Sequence, residues 1–198
     1  MSGGLRERAR VRRRATIEEC ALRLFAQHGY EAITLVQVAA ESEVSTRTLQ
    51  QYFPSKLDLA LAYSADASER LRQACVNRLP GESVLLVLQR WLTTEATEHR
   101  DRIARHGAML AANPGLRGSE TSAITAARQA VTEEFASDLG KQPDDPVVAL
   151  ASGALVGLIS AALDIGTAGD VEVSARCAAG YASAIINQAL NAIDAEKG

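Results

Sequence analysis

Each of the five prolines in the chain falls where a second signal marks the start or the end of a helix. They are Pro54, Pro80, Pro114, Pro143 and Pro146. The segments between them contain neither the alternating polar and apolar runs nor the Asn-Gly and Asp-Gly turns that indicate β-hairpins. Aromatic residues make up only 4% of the chain and alanine is abundant, which favours closely packed helices. The sequence therefore predicts an all-α protein of about nine helices.

The first predicted helix runs from about Ala9 to His28 and ends at Gly29, a residue suited to the left-handed conformation that closes many helices. Its buried face is a stripe at helical spacing, formed by Ile17, Ala21, Leu24 and His28.

Three cap signals predict the next helix starts. Thr34-Leu35-Val36-Gln37 has the pattern of a capping box and opens a short second helix. Ser45 is the predicted N-cap of a third helix over Thr46–Tyr52, and Ser55 caps a fourth, long helix that reaches about Leu79. Further helices are predicted over residues 83–98, 100–112, 116–139, 146–165 and 171–193. Short helices joined by tight turns and followed by longer ones indicate a helix-turn-helix head on a helical body.

The net charge of −3 hides an uneven distribution along the chain. Residues 1–60 contain nine lysines and arginines against seven acidic residues, whereas residues 61–198 contain twelve against seventeen. Six of the arginines lie within residues 1–14, where Glu7 is the one acidic residue. A basic arm on an acidic protein is typical of an end that binds phosphates. The alternative is a disordered tail that only improves solubility.

Several classes of protein are excluded by what the sequence lacks. It has no run of about 18 apolar residues, so a membrane span is not expected, and the basic N-terminus lacks the apolar segment of a secretory signal. Cys20, Cys75 and Cys177 lie far apart, which argues against CxxC chemistry and a disulfide framework. We expect a cytoplasmic protein.

Catalytic and metal-binding patterns are likewise missing. His28, His99 and His106 form no grouping with cysteines or carboxylates that is typical of a metal site. No nucleophile motif and no glycine-rich phosphate loop occurs. We expect no cofactor, no metal and no enzymatic activity.

One series of motifs extends from residue 17 to residue 59. It consists of Ile17, Ala21, Phe25, Gly29-Tyr30, Thr34, Val38-Ala39, Val44-Ser45, Thr48-Leu49, Tyr52-Phe53-Pro54-Ser55-Lys56 and Leu59. The series resembles the N-terminal DNA-binding domain of the TetR family of bacterial transcriptional regulators, and its last five-residue motif is the most specific part. The charge distribution sets apart a disordered basic arm at 1–15, and the resemblance implies a DNA-binding domain at 16–60 and a ligand-binding and dimerisation domain at 61–198. It also implies a homodimer, a double-stranded DNA operator and a small-molecule effector, which we expect to be largely apolar.

The third helix is the predicted recognition helix. Leu49 and Phe53 are apolar and four residues apart, so they are expected to pack inward. On the outer face, arginine is suited to guanine and glutamine to adenine. The predicted DNA contacts are Thr34, Ser45, Thr46, Arg47, Thr48, Gln50, Gln51, Tyr52 and Lys56. The alternative for the outer face of this helix is a polar surface that only contacts solvent. The alternative for Tyr52 is a half-buried packing role. Arg47 and Gln50 depart from residues common in the family, so the operator cannot be taken from a relative.

Two features of the body are candidates for binding. The nearly uncharged segment 147–165 carries small residues at four-residue spacing, and the last predicted helix has a similar face. The predicted dimer contacts are Gly153, Gly157, Ala161, Ala178, Ala182 and Ile186, with a monomer core as the alternative. An apolar wall with few polar groups predicts an effector pocket at Leu88, Trp91, Glu95, His106, Met109 and Leu110, although these residues could equally belong to the core.

These observations favour a ligand-responsive dimeric repressor. A helical ligand-binding or dimerisation module whose DNA head has lost function is the alternative, and a helical enzyme is a more distant third.

Overall fold

A computed structural model describes residues 3–165 together with Cys177, Gly180, Tyr181, Ala184 and Gln188. All regular secondary structure in this part of the chain is helical, which confirms the predicted fold class. The helices are α1 (Gly3–His28), α2 (Leu35–Glu41), α3 (Thr46–Tyr52), α4 (Lys56–Ala60), α5 (Ala62–Val76), α6 (Val84–Glu98), α7 (Arg100–Ala112), α8 (Ser122–Leu139) and α9 (Pro146–Ile165), with a 3₁₀ helix at Pro114–Leu116. The helix predicted over 171–193 lies mostly outside the described residues.

Helix α1 begins earlier than predicted. Residues 3–15 are already part of the helix, and Arg8 Nε donates a hydrogen bond to the Gly4 carbonyl at 3.1 Å. Arginine has a high helix propensity, so a run of arginines without proline extends a helix readily.

The predicted fourth helix is in fact two helices. α4 ends at Ala60, the backbone of the next residue, Leu61, leaves the helical region (φ −98°, ψ 15°), and α5 starts at Ala62. The five consecutive residues from Leu59 to Tyr63 are all buried. A regular surface helix buries only one stripe, so a break at this point lets successive side chains all reach the interior.

The start of α8 also differs from the prediction. The expected helix at Leu116 is the short 3₁₀ helix, and α8 begins only at Ser122. Gly118 between them has φ +79°, a left-handed conformation that interrupts an α-helix.

The chain divides into two compact units. Residues up to Tyr63 form the first unit together with Arg105–Thr121, and the second contains Ser64–Ala104 and the residues from Ser122 onward. The first unit therefore includes a segment that the sequence assigned to the body. Its position follows from Met109 and Leu116, which are both buried in the hydrophobic core of the N-terminal helices.

The core of the first unit is built where α1 packs against α2 and α4, and α2 against α3. Its largest fully buried aromatic members are Phe25 and Phe53. In the second unit α8 packs against α9 and α6. A partly buried ion pair joins α5 to α6 there, because Arg70 donates two hydrogen bonds, of 2.6 and 2.8 Å, to the fully buried Glu95 carboxylate.

Among the described residues, no helix combines the length and the apolar character needed to cross a membrane. The same part of the chain holds no group of three or more histidines, cysteines and carboxylates arranged to bind a metal ion.

Candidate nucleic-acid interface

The start of α2 is fixed by a reciprocal cap. The backbone N–H of Gln37 donates to Thr34 Oγ1 at 3.3 Å, and the backbone N–H of Thr34 donates to Gln37 Oε1 at 2.8 Å. The predicted capping box is therefore present. Its bonds satisfy backbone donors that would otherwise be left over at the first turn of the helix.

The turn between α2 and α3 depends on one residue in an unusual conformation. Glu43 has φ +54°, in the left-handed region that non-glycine residues seldom adopt. The backbone N–H of Val44 donates to the Ala39 carbonyl at 2.9 Å, and Ser42 Oγ donates to the carbonyl of Val38. These bonds close α2 tightly, and α3 starts shortly afterwards at Thr46.

Helix α3 has one buried face and one exposed face. Leu49 is 0% exposed and Phe53 2% exposed, so both pack inward as the sequence predicts. On the outer side the polar residues Arg47, Gln50 and Gln51 are all exposed. The helix thus presents long polar side chains from a backbone that is held by the core.

The remaining polar residues of α3 are more restrained. Ser45 Oγ accepts a hydrogen bond from the Thr48 backbone N–H at 3.0 Å, and the two hydroxyls lie 2.8 Å apart. Tyr52 is half-buried and packs partly against the core of the unit. The packing role that the sequence left open for Tyr52 is therefore present.

Lys56, at the start of α4, rests on an aromatic ring. Its Nζ lies 4.1 Å from the centroid of the Tyr30 ring and 3.5 Å from the Glu31 carbonyl oxygen. A cation over a ring face is attracted by the ring quadrupole. Burial raises the pKa of Tyr30, and nearby Glu31 and Asp58 add to the shift, so the ring stays neutral at physiological pH.

Tyr30 belongs to the Gly-Tyr motif of the sequence, but its role beneath Lys56 was not predicted. Also not predicted was Asn113, whose side chain hydrogen-bonds the backbone of Phe25 and Tyr30. No local sequence signal identifies such a contact, because the two segments are far apart along the chain.

The arginines at the start of α1 are mostly exposed. Arg14 is half-buried, and its guanidinium carbon lies 4.9 Å from the centroid of the Phe53 ring, at the end of α3. Its Nη1 is also 3.6 Å from the buried carboxylate of Glu18. The basic segment is therefore attached to the part of the first unit where the predicted recognition helix ends.

The residues predicted to line an effector pocket are divided between the two units. Leu88, Trp91 and Glu95 belong to the second unit, where Trp91 Nε1 donates to the Ala67 carbonyl at 3.2 Å. His106, Met109 and Leu110 belong to the first unit, where Met109 is 0% exposed in the core. The pocket itself stays a prediction.

The predicted dimer contacts on α9 lie on an open face. Gly153 and Ala161 are exposed, and the neighbouring Leu150 is 76% exposed. A Cβ atom added at Gly153 or Gly157 would meet no atom within 4 Å. Ala178, Ala182 and Ile186 lie outside the described residues.

A helix-turn-helix with a polar outer face on α3, followed by a larger helical unit, defines the class of helix-turn-helix transcriptional regulators. The family of bacterial regulatory proteins of the tetR type matches residues 17–63, and the MftR C-terminal domain family matches residues 82–184, more than half of the chain. The chain belongs to the TetR family of transcriptional regulators.

Two curated relatives are similar over part of their length. The HTH-type transcriptional repressor KstR of Rhodococcus jostii is 36% identical over 87 residues, which are 42% of this chain and 41% of KstR. The HTH-type transcriptional regulator TcmR of Streptomyces glaucescens is 38% identical over 82 residues, 41% of this chain and 36% of TcmR. The chain thus spans about two fifths of the length of these relatives.

Solved structures share the fold. A TetR-family transcriptional regulator from Rhodococcus sp. superposes with a TM-score of 0.58 at 18% identity, over 90% of this chain and 99% of that one. The TetR-family regulator PfmR from Thermus thermophilus gives a TM-score of 0.55 at 20% identity, over 86% of this chain and 97% of that one.

Proposed function

We propose that this protein is a ligand-responsive transcriptional repressor that binds a palindromic DNA operator as a homodimer and is released by a small molecule. The observation that carries the proposal is the structure of α3. Its apolar side is buried, while Arg47, Gln50 and Gln51 are left for the outer side of a helix of the kind that enters the major groove.

Base recognition falls to the outer side chains of α3. The guanidinium of Arg47 can donate two hydrogen bonds to guanine O6 and N7, and the amides of Gln50 and Gln51 can pair with adenine. Thr46 and Thr48 lie at the start of the helix, where short side chains reach thymine methyl groups or the backbone.

Phosphate contacts fix the head on the duplex without reading sequence. Thr34 and Ser45 cap helices whose N-terminal backbone N–H groups attract phosphate oxygens. Tyr52 and the ring-supported Lys56 add a hydroxyl and a positive charge. The exposed arginines of α1 extend the positive surface beyond α3, and we assign them to further phosphates or to the minor groove.

The open face of α9 supports a dimer. Leu150 would be costly to leave in water in an isolated chain, and the small residues Gly153, Gly157 and Ala161 allow a second helix to approach closely. A two-fold dimer presents two recognition helices, as a palindromic operator requires.

The effector and the direction of regulation are proposed from separate observations. Trp91 and Leu88 give the second unit an apolar wall, with the Arg70–Glu95 pair as the nearby polar group, so a small and largely apolar molecule fits this chemistry. Repression is supported by the name of one relative, the repressor KstR.

The test is selection of DNA bound by the full chain from a random double-stranded pool. We expect enrichment of an inverted repeat whose half-sites are separated by about 34–36 Å or a multiple of it. The double variant Arg47→Ala, Gln50→Ala is the matched control, since it keeps the capped helix but lacks its two main readers. Recovery of no enriched sequence by the wild type would overturn the proposal.

A further inference from the structure

The end of α1 is held by a side chain from much later in the sequence. Asn113 Nδ2 donates hydrogen bonds to the carbonyls of Phe25 and Met109, both at 2.9 Å. Asn113 Oδ1 accepts a hydrogen bond from the backbone N–H of Tyr30 at 2.6 Å. One amide therefore uses both of its donors and its acceptor on backbone groups of the first unit.

This arrangement replaces part of an ordinary helix ending. Gly29 has φ +87°, and its N–H bonds to the Phe25 carbonyl at 3.0 Å, as in a common left-handed cap. In the related Schellman cap the next N–H also returns to the helix, whereas here the N–H of Tyr30 is bonded to Asn113. The direction in which the chain leaves α1 thus depends on Asn113.

The residue whose backbone is held in this way also carries the ring beneath Lys56. The Tyr30 ring meets the Phe25 ring edge-on with centroids 5.3 Å apart, and its face lies 4.1 Å from Lys56 Nζ. Asn113 bonds the backbone of both Phe25 and Tyr30 across the Gly29 cap, so the amide ties together the two backbone positions from which the rings extend. A shift of the Tyr30 backbone would move the surface on which the lysine rests.

We propose that Asn113 is a positioning residue for DNA binding, which acts through Tyr30 to hold Lys56 where it meets a phosphate. This inference rests on the proposed function, because it takes Lys56 as a phosphate contact. Asn113 itself does not touch DNA. An amide is suited to the role because it donates to carbonyls and accepts from an N–H with a single side chain.

The test compares Asn113→Ala, Lys56→Ala and the double variant for operator affinity over a range of salt concentrations. Asn77→Ala is the matched control, since the Asn77 amide bonds within its own segment, to the Gln73 carbonyl. Loss of one phosphate contact weakens binding on the order of tenfold per protomer near 0.1 M salt and reduces the steepness of the salt dependence by about 0.9. We expect Asn113→Ala to reproduce the change of Lys56→Ala and to add nothing to it in the double variant.

A second readout needs no DNA. Protons of the Lys56 side chain over the Tyr30 ring should show an upfield ring-current shift by nuclear magnetic resonance in the wild type, and this shift should be lost in Asn113→Ala. Should Asn113→Ala fail to fold, Asn113→Asp carries the test. Its carboxylate keeps an acceptor for the Tyr30 N–H but sets a second oxygen without a proton against the Phe25 and Met109 carbonyls, which repel it, so the upfield shift should be lost here as well.

The outcomes separate the two proposals. If the wild type binds no DNA sequence but the ring-current shift depends on Asn113, the proposed function fails and the positioning of Lys56 stands. If the wild type binds its operator and Asn113→Ala leaves both the salt dependence and the shift unchanged, the role of Asn113 is wrong. A shift that persists unchanged in Asn113→Asp, or additive losses in the double variant, would also overturn it.

Discussion

The ammonium group of Lys56 lies 4.1 Å from the centre of the Tyr30 ring. This contact joins Lys56, the first residue of α4, to Tyr30, which lies just past the end of α1. A lysine side chain is otherwise flexible and loses considerable conformational freedom when it binds a single phosphate. The ring restrains Lys56, so if Lys56 contacts a phosphate as proposed, less of that freedom remains to be lost.

Removing the face of the Tyr30 ring should therefore weaken DNA binding while the charge on Lys56 is kept. We expect Tyr30→Leu to lower operator affinity several-fold, since cation–π contacts at exposed sites are worth about 0.5–1 kcal/mol. Tyr30→Phe is the control, because it retains the ring and should bind like the wild type. Equal losses in both variants, measured by fluorescence anisotropy, would point to the hydroxyl instead.

Substitution of Arg47 should change which sequences are bound. If Arg47 pairs with a guanine, Arg47→Ala should lose about 1–3 kcal/mol of discrimination at one position in each half-site. Lys56→Ala should weaken all sequences alike. The measurement is affinity for a set of operators with single base changes, and unchanged base preference in Arg47→Ala would remove this residue from the readout.

A larger residue at Gly157 should separate the protomers without disturbing the single chain. There is open space around this position, so Gly157→Leu costs little in one chain, whereas overpacking at a helix interface costs about 1–3 kcal/mol or more. Sedimentation should show a dimer for the wild type and a shift toward monomer for the variant. Gly115→Leu, at an equally open glycine outside α9, is the control. A dimer of unaltered strength in Gly157→Leu would exclude this face.

Relief of the left-handed conformation at Glu43 should stabilise the head. A non-glycine residue in this region costs about 1 kcal/mol or more, so we expect Glu43→Gly to raise the free energy of unfolding by about that amount. Glu43→Ala keeps a Cβ atom and removes only the charge. Chemical denaturation of the two variants distinguishes backbone strain from charge, and an equal gain in both would indicate charge.

The thiol of Cys75 should be inert in the folded protein. Burial raises its pKa to about 11 from an ordinary 9.0, with Glu134 adding to the shift and Arg78 opposing it. The unfolded chain therefore releases this proton at lower pH than the folded one, and stability falls as the pH rises from about 9 to 11. The difference in stability between wild type and Cys75→Ala should change over that range and stay constant below it. Rapid reaction of Cys75 with a thiol reagent near neutral pH under native conditions would contradict the burial.

The parts of the fold that the sequence predicts are those set by neighbouring residues. The caps at Thr34, Ser45 and Ser55 depend on a partner three residues away, so their spacing alone identifies the starts of α2, α3 and α4. The inward side of α3 follows from the four-residue spacing of two apolar residues.

What the sequence does not predict is set by distant contacts. The helix breaks at Leu61, where the five consecutive residues from Leu59 to Tyr63 are all buried. No proline or glycine lies there, so the break depends on tertiary packing. Met109 has a flexible apolar side chain that would suit a ligand pocket, yet it lies in the core of the first unit. Asn113 carries no local signal, since its partners Phe25 and Tyr30 are brought to it only once α1 and the 105–121 segment meet.

The inclusion of Arg105–Thr121 in the first unit has a consequence for how the protein is made. A ribosome releases the chain from its N-terminus, and domains generally fold in that order. Here the DNA-binding head comes first, but Met109, Asn113 and Leu116 complete its core and the end of its first helix. The nascent head therefore cannot complete its core until residue 121 has left the exit tunnel, and until then part of its apolar interior stays exposed.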